Sequence, residues 1–339
     1  FLCCERAAQS RFDLIPAHIR TASLSVSMPR FCSRTIGSAA LLAWAVFVSW
    51  SRADTWTVEP GVRSPNLTST CTVQLPDDSW RHYYHGNVYR TSPDGLTFST
   101  ARPLPGLMTP PGFFDRNPAV LVDGQGYVMI VERVAVANQS VVVGLYRATS
   151  TDGLTWTAEP TPVLTPNAAE AGFMSVPELI AVDASLWRLY YVVRGDVVAS
   201  ATTTDRGRTW SREGRLIVTG LAAGERYVDP DIIRTPAGHL RMFAAIIPAT
   251  IPTGIGNQRI RAAVSDDGRT FHFAPYDLIG VTNNTEAKID PDVVALPGGG
   301  YRMYFGAGAS AGGPIDLYSA TTPALAAPIV TGPATATGA

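Results

Sequence analysis

Residues 203–210 read TTDRGRTW, the fullest of four related segments in this chain. The other three read SPDGLTF at 92–98, STDGLTW at 150–156 and SDDGRTF at 265–271. In each segment a Gly supplies the positive φ that a tight hairpin needs, and the Ser, Thr and Asp side chains bond to nearby backbone groups. The four segments therefore predict four β-hairpins, each ending in a buried aromatic ring.

Two further motifs recur in phase with these hairpins. A Pro opens an apolar, β-branched run at 118, 177, 230 and 291, with a degenerate copy at 69–73, and an aromatic strand follows each copy. The ring of a hairpin lies 20 or 21 residues before the next of these prolines, as from Phe98 to Pro118 and from Trp156 to Pro177. This constant phase indicates five copies of one β-unit in a repeat architecture.

The fifth unit lacks its hairpin, and the missing strand occurs at the other end of the repeat region. Residues 55–60 read TWTVEP and nearly duplicate TWTAEP at 155–160, the fourth strand of another unit. We therefore predict an all-β fold, a five-bladed β-propeller with four-stranded blades. Its ring is closed by the N-terminal strand pairing in the last blade.

Composition narrows the classes of partner. The chain has 339 residues, of which 46% are hydrophobic, and its 27 basic and 28 acidic residues give a formal net charge of −1. This apolar content excludes a disordered protein. The charge balance offers no basic surface for nucleic acid and no polybasic membrane patch. Small molecules or neutral polymers are therefore better candidates for its ligands than nucleic acids or membranes.

The N-terminal region has the pattern of a secretory signal peptide at residues 28–53. Met28 is followed by basic residues, an apolar run at 36–50 and small residues up to Ala53, after which we place the cleavage site. An uncleaved anchor is the alternative, although the apolar run is short for spanning a bilayer. Residues 1–27 begin with Phe and are interpreted as upstream translation. We expect a secreted or periplasmic protein with no membrane association after cleavage.

The propeller is assigned to residues 54–325, and residues 326–339 are assigned to a disordered tail. Three of the four cysteines precede the expected cleavage site, so the mature chain would retain Cys71 alone and form no internal disulfide. Cys71 has no basic or His neighbour in sequence. We expect a buried, inert thiol.

The repeats resemble those of a known superfamily. The Asp-Pro-Asp openings at 229–231 and 290–292, the YRMY strand at 301–304 and the hairpin motif look like the propellers of arabinanases, invertases and levansucrases, notably glycoside hydrolase family 43. The resemblance covers residues 55 to about 325. The hairpins are also similar to the Asp-boxes of sialidases, which are structural elements. This likeness implies structural roles for Asp94, Asp152, Asp205 and Asp267.

The chain departs from the family at the places where catalysis is expected. Resemblance to family 43 implies an Asp at the start of the first inner strand, an Asp in the next Asp-Pro pair, and a Glu two residues before the Pro of the third. Those places hold Ser69 or nearby Asn66, then Asn117, then Ser175. The Asp-Pro pair occurs only in the fourth and fifth units.

The active site could instead be rotated around the hub, so that carboxylates of other blades catalyse the reaction. The predicted catalytic residues of such a site are Asp229, Asp290 and Glu178. Residues two apart on a strand share a face, so Asp231 and Asp292 face the hub with them. Glycoside hydrolysis needs one protonated and one ionised carboxyl on opposite sides of the scissile bond. The alternative is that these acids bond to backbone amides of adjacent blades and help to close the ring.

Substrate contacts are assigned to Asn117, Arg116, Asp231, Asp292 and His85 around the same funnel. This chemistry requires no cofactor; calcium at Asp231 and Asp292 is the cation that hard oxygen ligands favour. Loop acids offer a second way to complete a site, and the candidates are Asp115, Glu170, Glu225 and Glu286. A sialidase-like site would instead need clustered arginines, for which the candidates are Arg116, Arg133, Arg194 and Arg226.

The sequence thus predicts a secreted glycoside hydrolase-like protein that acts on or binds an oligo- or polysaccharide at its axial funnel. The alternative is a non-catalytic carbohydrate-binding or scaffold propeller with degenerate catalytic positions. An acid and a base at glycosidase separations would favour the enzyme, and a cation surrounded by Asp side chains would favour a structural centre.

Overall fold

The computed structural model describes residues 47–50, 54–250, 256–280, 286–309, 313–325 and 328–331. These ranges form strands and turns only. They therefore contain no helix that could cross a membrane. The expected upstream segment, signal peptide and tail lie outside the described residues, apart from the backbone of Phe47–Trp50 and Pro328–Thr331. Those two strands pair with each other, and the propeller lies within the compact unit Val48–Ile329.

The predicted five-bladed propeller is confirmed. Each blade is an antiparallel sheet whose four strands follow one another from the hub outward, and blade 4 gains a fifth strand, Ile217–Thr219, that pairs in parallel at its edge. The strands are Cys71–Gln74, Trp80–Tyr84, Val88–Ser92 and Arg102–Pro103 in blade 1; Phe113–Val122, Tyr127–Ala135, Asn138–Ser150 and Thr157–Leu164 in blade 2; Met174–Ala181, Trp187–Val193, Val197–Thr203 and Ser211–Arg215 in blade 3; Arg226–Arg234, Leu240–Ile247, Arg259–Ser265 and Thr270–Phe273 in blade 4; and Glu286–Ala295, Tyr301–Ala309, Ile315–Thr322 and Thr57–Val58 in blade 5.

The core lies between neighbouring blades, and this explains why the second strands are buried along most of their length. In Trp187–Val193 every residue is buried. Leu189 and Tyr191 pack in a cluster with side chains of blade 2, whereas Tyr190 packs with side chains of blade 4. Alternate residues of a strand point to opposite faces, so a strand between two blades must be apolar on both.

The N-terminal strand closes the ring as predicted. Thr57 and Val58 pair with Thr321 and Ala320 of the third strand of blade 5. Beyond this pairing, the amide of Glu59 donates to the carbonyl of Ser319 at 2.8 Å. The closing strand therefore supplies the fourth strand of the last blade.

The four predicted hairpins are internally bonded. In the first hairpin, Asp94 Oδ1 accepts the amides of Leu96 and Thr97 at 2.8 and 2.9 Å, and the Ser92 hydroxyl accepts the amide of Gly95. Equivalent bonds are made by Asp152, Asp205 and Asp267. Local backbone amides therefore account for all four Asp carboxylates.

An Arg and a Tyr on the second strand of a blade hold the hairpin of the next blade. Arg302 of blade 5 donates to the carbonyl of Asp94 at 3.0 Å, and the Tyr304 hydroxyl donates to that of Gly95 at 2.8 Å. The same clamp joins blade 1 to blade 2 through Arg81 and Tyr83, and blade 3 to blade 4 through Arg188 and Tyr190. The hairpins thus fasten neighbouring blades at the periphery.

The inner strands of blades 2 to 5 each carry a bulge at the hub. Five residues there have φ between 48° and 54°, a left-handed conformation that is uncommon outside Gly. In blades 2 to 5 this residue directly precedes the Pro, and the strand pairing is interrupted at the same point. We call it the first hub position, and its occupants are Ser69, Asn117, Val176, Asp229 and Asp290. The second hub position lies two residues later and holds Cys71, Ala119, Glu178, Asp231 and Asp292.

Candidate functional site

A cavity of about 140 Å³ lies on the axis and is lined by the inner strands of all five blades. All five first hub positions line it, as do four of the second hub positions, Ala119 being the exception. The structure therefore brings together the predicted residues Asp229, Asp290, Glu178, Asp231, Asp292 and Asn117 around one space.

Asp229 and Asp290 form a pair of neighbouring carboxyls in the wall of the cavity. Burial raises the pKa of Asp229 well above its ordinary value, and the adjacent Asp290 carboxyl raises it further. Asp290 accepts the hydroxyls of Thr68 and Ser69, the latter at 2.8 Å. Because its pKa is raised, Asp229 is the member of the pair that favours the protonated form at neutral pH.

The acids at the second hub position have raised pKa values for a similar reason. Burial is the main cause for Glu178 and Asp231, and a neighbouring carboxylate adds to it, Asp292 for the first and Glu178 for the second. Burial raises the pKa of Asp292 to about 6, opposed by hydrogen bonds from Thr70 and Thr72.

These second-position acids join adjacent blades. Each accepts the backbone amide that lies one residue beyond the second hub position of the next blade. Cys71 does the same through its sulfur, which is 3.2 Å from the amide nitrogen. Burial raises the pKa of its thiol, which agrees with the expected inert thiol. The four acceptor and donor pairs are Cys71 with Val120, Glu178 with Ile232, Asp231 with Val293 and Asp292 with Thr72.

The seam between blades 2 and 3 uses a residue that the sequence analysis did not single out. Ala119 has no acceptor, and Glu132 from the second strand of blade 2 takes its place. The Glu132 carboxylate is fully buried and accepts the Ser175 hydroxyl at 2.7 Å and the Val176 amide at 3.2 Å. It also accepts the Asn117 amide group at 2.8 Å. The available sequence signal was an acidic residue in a second strand, where the other four blades have none.

Arg116 and His85 lie next to the bonded pair of Glu132 and Asn117. Arg116 donates to Glu132 through Nε at 3.0 Å and Nη2 at 2.7 Å, so its charge is neutralised within the blade. The backbone amide of Asn117 donates to Nδ1 of His85 at 3.4 Å, which makes Nδ1 an acceptor. The pKa of His85 is lowered, mainly by burial. A neutral His85 therefore carries its proton on Nε2, where it is a donor.

The loop acids considered as substitutes are all engaged elsewhere. Asp115 binds Arg133, Glu170 binds Arg212 and the Tyr191 hydroxyl, Glu225 binds Arg259 and Arg261, and Glu286 lies 3.6 Å from Lys288.

The arginines do not form the cluster that a sialidase-like site requires. Arg116, Arg133 and Arg226 each pair with a carboxylate, on Glu132, Asp115 and Asp196. Arg194 is exposed and lies over the ring of Phe173 at 4.9 Å.

Within the described ranges, no three His, Cys, Asp or Glu side chains are grouped so that they could hold a metal ion. Calcium at Asp231 and Asp292 stays a prediction. Both carboxylates already accept hydrogen bonds from the next blade.

No protein-family model and no curated protein matches the chain. Solved structures do. An exo-1,5-α-L-arabinanase from a bovine ruminal metagenomic library is 12% identical, with a TM-score of 0.62 over 80% of this chain and 99% of its own. The α-L-arabinofuranosidase of Podospora anserina, solved with cellotriose, is 12% identical, with a TM-score of 0.58 over 81% and 98%.

A thermostable family-43 glycoside hydrolase is also 12% identical, with a TM-score of 0.56 over 81% of this chain and 96% of its own. At these identities the similarity establishes architecture. The chain therefore shares the five-bladed propeller fold of this family-43 glycoside hydrolase, the arabinanase and the arabinofuranosidase.

Proposed function

We propose that the axial funnel binds an oligo- or polysaccharide and hydrolyses a glycosidic bond, with the Asp229–Asp290 pair as general acid, in a secreted or periplasmic protein. The observation that carries the proposal is the placement of the Asp229 and Asp290 carboxyls together in the wall of the axial cavity. A glycosidase needs a carboxyl that keeps its proton at neutral pH, and burial beside a second carboxylate retains it.

The pair acts as one acid. Carboxyls in hydrogen-bond contact are closer than the roughly 5 Å that separates the working carboxyls of a retaining glycosidase, so they cannot flank one bond. Asp229 donates the proton to the leaving oxygen, and Asp290, held by Thr68 and Ser69, stabilises its partner. Glu178 holds the seam to blade 4 in this proposal. The Nε2 hydrogen of His85 is available to a sugar hydroxyl.

Arabinose-containing polysaccharides are the first substrates to examine, because the similar structures include an arabinanase and an arabinofuranosidase. These enzymes suggest the substrate class, and the Asp229–Asp290 pair would supply the acid.

Carbohydrate binding without catalysis is the second candidate. The observation that favours it is the loss of all three expected carboxylates, whose places hold Ser69, Asn117 and Ser175. Asn117 and Ser175 both bond to Glu132.

The test compares the full chain with Asp229→Asn and Asp290→Asn on arabinan, arabinoxylan, fructo- and xylo-oligosaccharides and aryl α-L-arabinofuranosides. Asp266→Asn is the control, since Asp266 is exposed and pairs with His239 in the hairpin of blade 4. Released reducing sugar measures turnover and calorimetry measures binding. Both hub variants should lose about 10²- to 10⁴-fold in turnover, the usual contribution of a general acid, and should still bind.

The outcomes separate the candidates. Turnover that survives in both hub variants would overturn the assignment of the acid. Saturable binding without turnover would support the second candidate, and absence of both would reject a carbohydrate function on this panel. Turnover lost in chelator and restored by calcium would support a cation at Asp231 and Asp292.

A further inference from the structure

Glu132 lies in the second strand of blade 2, behind the wall of the axial cavity. Its side chain is fully buried and forms an ion pair with Arg116 through Oε1. Oε2 accepts the side-chain amide of Asn117 at 2.8 Å, the hydroxyl of Ser175 at 2.7 Å and the backbone amide of Val176 at 3.2 Å. Asn117 and Ser175 occupy two of the places where an acid was expected, so one buried carboxylate now joins both.

The contact with Glu132 determines which end of the Asn117 amide is free. A carboxylate paired with an arginine accepts hydrogen bonds, and an Asn side chain has one donor end and one acceptor end. The nitrogen therefore faces Glu132, and the oxygen faces away from it. Asn117 lines the axial cavity. Among the described residues no donor bonds to its Oδ1, and this oxygen is not fully buried, so a ligand can reach it.

The cavity wall has two chemically different sides. Blades 1 and 2 contribute no charged side chain to the part of the wall that the structure describes. The hydroxyls of Ser69 and Thr70 on that side already donate to carboxylates of blade 5, each at 2.8 Å. Asn117 therefore offers a neutral acceptor on the side of the cavity away from the acids. Those acids come from blades 3, 4 and 5 and are Glu178, Asp229, Asp231, Asp290 and Asp292.

We infer that Glu132 is a positioning residue, which holds Asn117 so that its amide oxygen accepts a hydroxyl of the carbohydrate bound at the axial funnel. The inference rests on the carbohydrate binding in the proposed function and does not require hydrolysis. A sugar hydroxyl is a donor that this neutral oxygen can accept. His85, whose Nδ1 accepts the backbone amide of Asn117 at 3.4 Å, offers its Nε2 hydrogen to the same ligand.

A test without ligand asks whether the Asn117 nitrogen faces Glu132. Asn117→Asp replaces the donor by a second carboxyl beside Glu132, and two adjacent carboxyls retain a proton because their charges repel. The melting temperature of this variant should be nearest to native at pH 4. Between pH 4 and 7 it should fall by about 5 °C more than that of the native protein, as expected for a pKa raised by about two units.

The double variant Asn117→Asp with Glu132→Gln completes this test. It removes one of the two facing charges, so the slope of melting temperature against pH should return to that of the native protein. The melting temperature itself should stay lower at every pH, because Glu132 also accepts Ser175 and Val176.

A binding test asks whether Glu132 acts through Asn117. Calorimetry with arabino-, xylo- and fructo-oligosaccharides compares the native chain, Glu132→Gln, Asn117→Ala and the double variant. Asn117→Ala should bind about 3- to 10-fold more weakly, the usual loss for one neutral hydrogen bond. Glu132→Gln should lose a similar factor, and it should add no loss in the Asn117→Ala background.

Glu213→Gln is the matched control for the binding test. Glu213 accepts Nε and Nη2 of Arg188 and the hydroxyl of Ser200, as Glu132 accepts an arginine and a serine, but none of these residues lines the axial cavity. This variant should bind oligosaccharides like the native protein.

Native-like affinity in Asn117→Ala, or losses that add in the double variant, would overturn the positioning role of Glu132. A melting temperature of Asn117→Asp that follows the native pH profile would overturn the orientation of the amide. Both Asn117 variants keep the buried carboxylate, so they decide the question if Glu132→Gln fails to fold. A native protein that binds no oligosaccharide would reject the proposed function and the sugar contact, whereas the pH profiles separately decide whether Glu132 holds Asn117.

Discussion

Replacing Glu59 by Ala should weaken the closure of the propeller, because Glu59 directly follows the N-terminal strand that completes blade 5. Its carboxylate accepts Nε and Nη2 of Arg302 at 2.9 and 3.0 Å and the hydroxyl of Ser319 at 2.6 Å. Arg302 in turn holds the hairpin of blade 1 through the Asp94 carbonyl. Losing the carboxylate should therefore loosen both the closing strand and the seam between blades 5 and 1.

Blade 3 offers a matched control inside a continuous stretch of chain. Glu213 accepts Nε and Nη2 of Arg188 at 2.8 and 3.0 Å and the hydroxyl of Ser200 at 2.7 Å. Glu213→Ala removes the same three contacts without touching the closure.

The expected local loss is the same in both variants. Removing one partner of a buried ion pair costs about 3 to 5 kcal/mol. The side chains of Glu59 and Arg302 are 18% and 9% exposed, and those of Glu213 and Arg188 are 23% and 9% exposed. Water screens part of each pair, so we expect about 3 kcal/mol, a fall in melting temperature of about 6 to 12 °C.

Hydrogen exchange separates closure from local stability. In Glu59→Ala the amides of residues 59 and 63, which donate to the carbonyls of Ser319 and Leu317, should exchange faster than those of blades 2 to 4. In Glu213→Ala these two amides should keep their native protection. Equal loss of protection at residues 59 and 63 in both variants would refute the idea that Glu59 fastens the ring.

Two predictions concern the pH dependence of the free energy of unfolding, measured by urea denaturation. Asp292 has a pKa raised to about 6 in the folded state, so its contribution to the free energy of unfolding is full below pH 3.8 and is lost as pH rises through 6. In the native protein this free energy should therefore fall between pH 4 and 7, and Asp292→Asn should lessen that fall by about 2 to 3 kcal/mol. An unchanged slope would contradict this prediction. Burial lowers the pKa of His82, so its contribution to the free energy of unfolding is present above pH 6.5 and is lost on acidification. Below pH 6.5 the native protein should lose up to about 1.4 kcal/mol per pH unit through this group, and His82→Leu should abolish that loss. Parallel curves for the variant and the native protein would argue against this prediction.

The architecture was predictable because it depends on interactions between residues that are close in sequence. The Gly of each hairpin, the ring that follows it and the constant distance to the next Pro each depend on neighbouring residues, and together they give the number of blades. Closure of the ring followed from the likeness of residues 55–60 to 155–160. The paired strands Thr57–Val58 and Ile315–Thr322 confirm it.

The roles of the hub acids were less accessible, because they depend on partners from other blades. The alternation of residues correctly placed Asp229, Asp231, Asp290 and Asp292 around one cavity. It could not distinguish an Asp that bonds to another carboxyl from an Asp that accepts a backbone amide more than sixty residues away, as Asp231 does from Val293. The bulge at the first hub position, which produces this difference, has no unambiguous sequence signal.

Glu132 illustrates the same limit from the opposite side. It is stable in a buried strand because Arg116, Asn117 and Ser175 converge on it in space.

The pairing of residues 57–58 with 315–322 has a consequence for how the molecule could be rebuilt. Since the opening and final segments of the wheel are side by side, a circular permutant that links them and begins in the loop after Leu164 would preserve every hydrogen-bonded ladder. Such a chain would add a covalent link to a joint now made by strand pairing and side-chain contacts, and would place the free ends at the boundary between blades 2 and 3.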